Sequence, residues 1–252
     1  MDTNVQTMNT EIDNIVGSFS NDDIESLMNL TGQSTVSKSN QGLSRLNINY
    51  DVETEDGQTL TRGDWKMMFE GEMVYAKSVL IRPILRTYEW SVFDQELGNF
   101  SCKSVQKPTM SGDFPDTEGG NKCGRLSQDE EDRLKDDDPL KLKSRSAVCN
   151  QVLYSKVSGK FKKANGEEIE ISEHPAVAYF KRSGFLPIRN FIDSLTRQKK
   201  IMQKCWISLK TDKKKKGSVT YFVPVPTLSS ETDILDEDKE LMKKFAETVK
   251  AH

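Results

Sequence analysis

Alternation of apolar and polar residues dominates the middle of this chain. Leu46, Ile48, Tyr50 and Val52 interleave with Asn47, Asn49 and Asp51, a period of two that predicts a strand with one buried face. Trp65, Met67 and Phe69 repeat the pattern, and an extended run follows from Met73 to Phe93. Pro83 inside that run predicts a bulge, a bend or an edge position, because proline removes a ladder donor. Glu55-Asp56-Gly57 and Glu70-Gly71-Glu72 read as turns, and Leu97-Gly98-Asn99 as a hairpin leading into Phe100–Val105. Strands resume at Ala147–Val157. Asn165-Gly166 is a two-residue hairpin signal joining Lys160–Ala164 to Glu167–Ile171, and Ala176–Arg182 is a further strand. A second hairpin pairs Lys200–Lys210 with Ser218–Val225 across Asp212–Gly217, with Pro224 and Pro226 ending it.

Helical spacing is confined to a few places. Near the start, Ile12, Ile15, Val16 and Phe19 follow an i, i+3, i+4, i+7 pattern. Ile24, Leu27 and Met28 repeat it behind a Ser20/Asp23 capping box, and Gly32 stops the run. Pro187 opens a helix with Ile188, Phe191, Ile192 and Leu195 on one face, and a closing helix from Asp236 aligns Leu241, Phe245 and Val249. Residues 106–147 break all periodicity with three glycines and two prolines before Gly124; a short acidic helix, Ser127–Leu134, starts at a Ser127/Glu130 capping box. The chain therefore divides into an acidic, largely flexible segment 1–43, a β-rich domain 44–228 with 106–147 inserted, and an amphipathic helix within 229–252. Many short strands with few helices predict an α+β, β-rich fold, with a small twisted barrel of the OB type as its architecture.

Composition narrows the class. Only 35% of residues are hydrophobic and 30% are charged, so part of the chain stays outside any core. No run approaches 18 apolar residues, and Met1-Asp2-Thr3-Asn4 opens neither a basic nor an apolar leader; the expected location is the cytoplasm, that of the host if the protein is viral. Cys102, Cys123, Cys149 and Cys205 lie 21, 26 and 56 residues apart with no C-x-x-C pair, which favours reduced structural thiols over a zinc site. No cofactor is expected.

Charge is segregated. The net charge is -3, yet residues 148–228 carry sixteen basic and six acidic side chains, +10. Such a stretch attracts polyanions whatever the overall balance. The segment Lys200–Lys210, read as a strand, puts Ile201, Gln203, Cys205, Ile207 and Leu209 on one face and Lys200, Met202, Lys204, Trp206, Ser208 and Lys210 on the other. Ammonium groups flanking an indole suit unpaired nucleic acid, neutralising phosphates while a base stacks. An exposed strand made soluble by lysine is the plainer reading of the same pattern. Arg82, Arg86, Tyr88 and Trp90 share a parity if their strand is regular, Tyr179 and Lys181 form a shorter pair, and Lys213–Lys216, with Lys214 at its centre, is a solvated tip or a backbone contact.

Catalysis finds little support. The two histidines, His174 and His252, suggest no nucleophile–base arrangement; Asp212-Lys213-Lys214 matches a nuclease D-x-K only formally; Gly119–Arg125 lacks phosphate-loop spacing.

On its β-rich segment 44–228, the basic–aromatic strands (Arg82, Arg86, Tyr88, Trp90; Lys200, Lys204, Trp206, Lys210) and its acidic flanks, the chain resembles the single-stranded DNA-binding proteins of bacteriophage replication modules. The resemblance implies an OB fold coating unpaired DNA, or RNA, without catalysis, in replication or recombination, with an acidic segment recruiting replication proteins. This chain departs from that pattern by ending in a mixed-charge helix, so the acidic stretch Glu231–Glu240 or residues 1–43 take the recruiting role in the analogy. Two alternatives stand beside it: a virion or assembly protein whose lysines serve solubility, and a metal-dependent nucleic-acid-processing enzyme.

Overall fold

The computed structural model describes residues 43–54, 57–93, 100–120 and 122–250. The expected N-terminal helices, the linker before Leu43 and the Leu97-Gly98-Asn99 hairpin lie outside the described residues. Among the described residues nine strands form one mixed sheet: β1 (Ser44–Ile48), β2 (Trp65–Phe69), β3 (Glu72–Ala76), β4 (Val79–Phe93), β5 (Phe100–Lys103), β6 (Val148–Lys163), β7 (Glu168–Lys181), β8 (Cys205–Lys216) and β9 (Val219–Glu231). Among the described residues four α-helices accompany them: α1 (Gln128–Asp132), α2 (Pro139–Ser146), α3 (Phe185–Arg197) and α4 (Asp236–Lys250). The fold is α+β and β-rich, as the periodicity predicts.

The order β3-β2-β1-β7-β6-β4-β8-β9 turns back on itself, because β3 also pairs with β6 through Val74↔Lys163 and Tyr75↔Lys162. The β1–β7 pair is parallel; the other pairs are antiparallel. Two main cores result, one on each face of the central strands, beside a smaller cluster of Val92, Cys102, Cys123 and Ala147. The first collects Trp65, Met67, Ile81, Leu153, Phe161 and Phe180 under Ile188, Ile192 and Leu195 of α3. The second packs Ile84, Val152, Tyr154 and Val177 against Phe245 of α4, whose ring lies 5.2 Å from that of Tyr154. Burying Phe245 contributes about 1.5–3 kcal/mol to holding α4 on the sheet. Val152, Leu153 and Tyr154 are all fully buried because β6 is covered on both faces, which erases alternation there.

Several boundaries move. The expected Met73–Phe93 run is two strands broken at Lys77-Ser78, and Pro83 does cause a register shift: Pro83 faces Ser155 and Leu85 faces Tyr154, leaving Ile84 as the extra residue. The strand expected over 46–52 stops at Ile48, leaving Tyr50 and Val52 exposed. Helix α2 has no signal in the apolar pattern, while α1 carries the predicted capping box. Residues Met202–Lys204 coil into a 3-10 turn, so β8 begins only at Cys205 and runs on through Lys216. Pro224 and Pro226 do not end β9. They occupy alternate positions of a strand paired only with β8, so both ring nitrogens can face away from the ladder.

Candidate nucleic-acid interface

The bulge at Ile84 decides the fate of the first basic–aromatic set. Arg82 faces Lys156 and Arg86 faces Leu153, positions of opposite parity on β6, so the two arginines fall on opposite faces. Arg82 is 2% exposed, ion-paired with Asp238, and its guanidinium lies 5.5 Å from the Trp206 ring centroid. Lys156 reaches the same Asp238 (2.7 Å) together with Glu173 (2.7 Å) and Glu237 (2.9 Å). Burial pushes the Asp238 carboxyl up, but hydrogen bonds from Lys156, the Leu235 backbone N–H and Arg82 outweigh it and hold the group below the usual aspartate value. This buried cluster fastens α4 to the sheet. Arg86 pairs with Asp193 of α3 (3.0 Å) and lies over the Tyr88 ring (5.1 Å), and Tyr88 is itself buried. Arg82, Arg86 and Tyr88 are therefore structural, a correction to the sequence expectation that follows from the shifted register.

The Lys200–Lys210 platform is likewise dispersed. The 3-10 turn removes the parity shared by Lys200, Lys204 and Trp206, Lys200 pairs with Glu231, and Lys204 pairs with Asp233 (3.0 Å). Alternation survives from Cys205 onward, with Cys205, Ile207 and Leu209 buried and Lys210 exposed. Much of the acidic stretch Glu231–Glu240 is thereby committed to internal partners.

Basic and aromatic side chains do converge elsewhere. A groove of about 360 Å³ opens between β1, the end of β7 and β9, lined by Arg45, Lys66, Lys181, Tyr50, Tyr179 and Phe222, with Trp65 and Phe180 beneath. Among the described residues no carboxylate is part of its lining, although Lys66 is paired with Asp51 (2.5 Å). Arg45 sits 4.4 Å from the Tyr179 ring centroid, and Tyr50 meets Phe222 edge-on at 5.8 Å. The Phe222 ring can pack directly on Gly63 because Gly63 has no side chain: a β-carbon there would stand 2.5 Å from the ring, and its φ of 93° favours glycine in any case. Lys181 belongs to a positive cluster; partial burial first, then the charges of Arg45 and Arg182, pull its pKa down.

The β8–β9 hairpin continues this groove. Beyond Leu209 the hairpin leaves β4, and Thr211 Oγ1 donates to the Gly63 carbonyl (2.6 Å) at its root. Six residues, 211–216, then extend it by about 20 Å. Lys213 is opposite Phe222 and Lys215 opposite Thr220, so these two lysines share the groove-side face. Lys210 and Lys214 lie on the other face, where Lys214 pairs with Asp212 (2.6 Å). Lys213–Lys216 are strand residues, and the turn is Gly217-Ser218. The sequence pattern thus points to Tyr179 and Lys181 but not to Arg45, Lys66, Tyr50 and Phe222. Arg45 directly precedes the alternating run that begins at Leu46, a signal in the sequence; Phe222 depends on a contact across 159 positions that no local pattern carries.

Trp90, half-buried at the far end of β4, lines a second pocket of about 650 Å³ with Arg125, Arg145, Arg182 and Phe185. Other chemistry is internal. The Gly119-Gly120 stretch does cradle an anion, but it is the Asp116 carboxylate, which accepts from the backbone N–H groups of Glu118 (3.1 Å), Gly119 (2.6 Å) and Gly120 (2.9 Å). Ser44 and His174 come together at 2.8 Å, yet the Ser44 hydroxyl donates to the Met68 carbonyl, leaving it to accept from the imidazole rather than be activated by it. Cys102 and Cys123 approach to 3.8 Å in a small apolar cluster; burial, then Cys102, pushes the Cys123 thiol up to about 12. Among the described residues no three His, Cys, Asp or Glu side chains gather into a metal site, and no helix is long and apolar enough to cross a membrane. Comparison with known protein families, curated proteins and solved structures finds no match.

Proposed function

We propose that this protein binds single-stranded nucleic acid, DNA in replication or recombination, without catalysing a reaction on it. One observation carries the reading: Arg45, Lys66 and Lys181 line a single groove with Tyr50, Tyr179 and Phe222, and the lysine-rich hairpin prolongs it. Cations spaced along a groove neutralise a phosphate backbone, and aromatic faces receive bases only when those bases are unpaired. Lys213 and Lys215, on the groove side of the hairpin, give a strand leaving the groove further phosphate partners. The strand ring β1-β2-β3-β6-β7, with its return pairing between β3 and β6, supports reading the platform as a small OB-like barrel. In this proposal, recruitment of replication proteins falls to the acidic residues 1–43, which carry six carboxylates and one lysine.

The test is fluorescence anisotropy of a labelled oligo-dT at two salt concentrations, with duplex DNA as competitor. The expected result is tight binding at low salt, weakening steeply as salt rises, and poor competition by duplex. Affinity indifferent to salt, or equal preference for duplex, overturns the proposal.

A further inference from the structure

The pocket at Trp90 has a different character from the groove. Its walls come from six separate places: the end of β4, the loop after Cys123, the end of α2, the start of β6, the turn after β7 and the start of α3. Three of these contribute an arginine, Arg125, Arg145 and Arg182, and among the described residues no carboxylate lines the pocket. Arg145 is shared with Asp136 at 3.4 Å; Arg125 and Arg182 have no ion pair among the described residues. About two positive charges are thus left uncompensated. Trp90, Phe185 and Leu186 supply the apolar surface, and Leu186 is 58% exposed. Cys149 adds no charge, since burial and then Glu89 push its thiol up to about 11.

The local backbone is built to bring these groups together. Gly124 has φ 128° and lies directly on the Trp90 indole, where a β-carbon would stand 3.1 Å from the ring. That contact keys the loop to β4 and places Arg125 beside Trp90. Arg182 is held at φ 50° in the 3-10 turn that follows β7. The same turn separates pocket from groove: Lys181, Ser183 and Gly184 line the groove, while Arg182, Phe185 and Leu186 line the pocket.

We infer that this pocket seats the terminal phosphomonoester of a nucleic acid strand whose body lies in the groove. The inference rests on the single-strand reading above and adds end recognition to it. An internal phosphodiester carries one negative charge, whereas a terminal monoester carries about 1.5–2, matching the two uncompensated guanidinium groups. Guanidinium groups also meet phosphate oxygens in pairs, which fixes orientation as well as charge. Trp90 and Phe185 offer a face to the terminal base, which has a neighbour on one side only.

The experiment compares labelled oligo-dT strands carrying a 5′-phosphate, a 3′-phosphate or hydroxyls at both ends. One phosphorylated end is expected to bind about tenfold more tightly than the hydroxyl-ended strand, the effect of one or two added charge-assisted hydrogen bonds. Arg125→Ala is expected to abolish that preference while keeping the affinity for the hydroxyl-ended strand; Arg182→Ala, whose charge also adds to the cluster at Lys181, is expected to abolish the preference with a modest loss of affinity for every strand. Thermal melting checks that both variants fold, and Arg182→Lys, which keeps the charge but loses the fork, should keep only part of the preference. Equal affinity for all three strands overturns end recognition while leaving single-strand binding intact. Failure of every strand to bind overturns both.

Discussion

The Arg82 guanidinium lies 5.5 Å from the centre of the Trp206 ring and donates to Asp238, a residue 156 positions further along the chain. Both ions are almost fully buried. Arg82, a residue whose type suggested a nucleic-acid contact, thus holds the C-terminal helix to the sheet, and Trp206 packs on its guanidinium. Asp238→Asn removes the shared anion and leaves Arg82 and Lys156 buried with weakened compensation, so it is expected to cost about 3–5 kcal/mol. Denaturant unfolding monitored by circular dichroism measures it. A loss below about 1 kcal/mol would mean that the cluster is not needed to seat α4.

The same carboxylate sets an acid limit. Its pKa in the folded chain is depressed below the ordinary aspartate value of 3.8. A group of this kind contributes stability that is present above its unfolded pKa and is lost as pH falls through the folded one. Melting temperature is therefore expected to drop as pH falls below about 4, and the part of that drop due to Asp238 should be missing in Asp238→Asn. Melting curves for both proteins across acid pH check it.

Trp206 and its lysine neighbours are expected to matter little for binding. Lys200 and Lys204 already pair with Glu231 and Asp233, and Trp206 lies against Arg82. Lys200→Ala/Lys204→Ala should change oligo-dT affinity by less than about threefold, since each exposed pair is worth little. Trp206→Ala should lower the melting temperature and leave affinity unchanged in the folded protein. A tenfold loss of affinity in either variant would restore the strand platform to the site.

The thiols report on packing. Burial raises Cys123 to about 12 and Cys149 to about 11, so neither forms much thiolate at neutral pH. Both are expected to react slowly with a thiol-specific chromogenic disulfide in the folded protein and rapidly once unfolded. Fast labelling of Cys123 in native buffer would show that the loop carrying it opens.

Local signals were legible where one element decides the outcome. The Ser127/Glu130 capping box, the Ile188/Ile192/Leu195 face and the Leu241/Phe245/Val249 stripe stand in the sequence as they stand in the fold, and the Asn165-Gly166 hairpin forms with a loop one residue longer than expected, Ala164–Gly166 closed by Lys163 and Glu167. What failed was parity extrapolated across an irregularity. The residue added at Ile84 separates Arg82 from Arg86, and the Met202–Lys204 turn uncouples Lys200 and Lys204 from Trp206. Period-two reasoning holds only while the ladder is unbroken. The groove was hidden for another reason: Arg45, Tyr179 and Phe222 lie on three strands, and only the parallel β1–β7 pairing and the return of β9 over Gly63 bring them together.

The most direct measurement is the salt dependence of oligo-dT affinity for Arg45→Ala/Lys181→Ala beside the unaltered protein, with Lys200→Ala/Lys204→Ala as the control. On a logarithmic plot of affinity against salt, removing two groove cations should flatten the slope by about 1.4, near 0.7 for each phosphate of a single strand that is no longer neutralised. The control slope should match that of the unaltered protein. An unchanged slope in the groove variant, with the slope flattened in the control instead, would contradict the account.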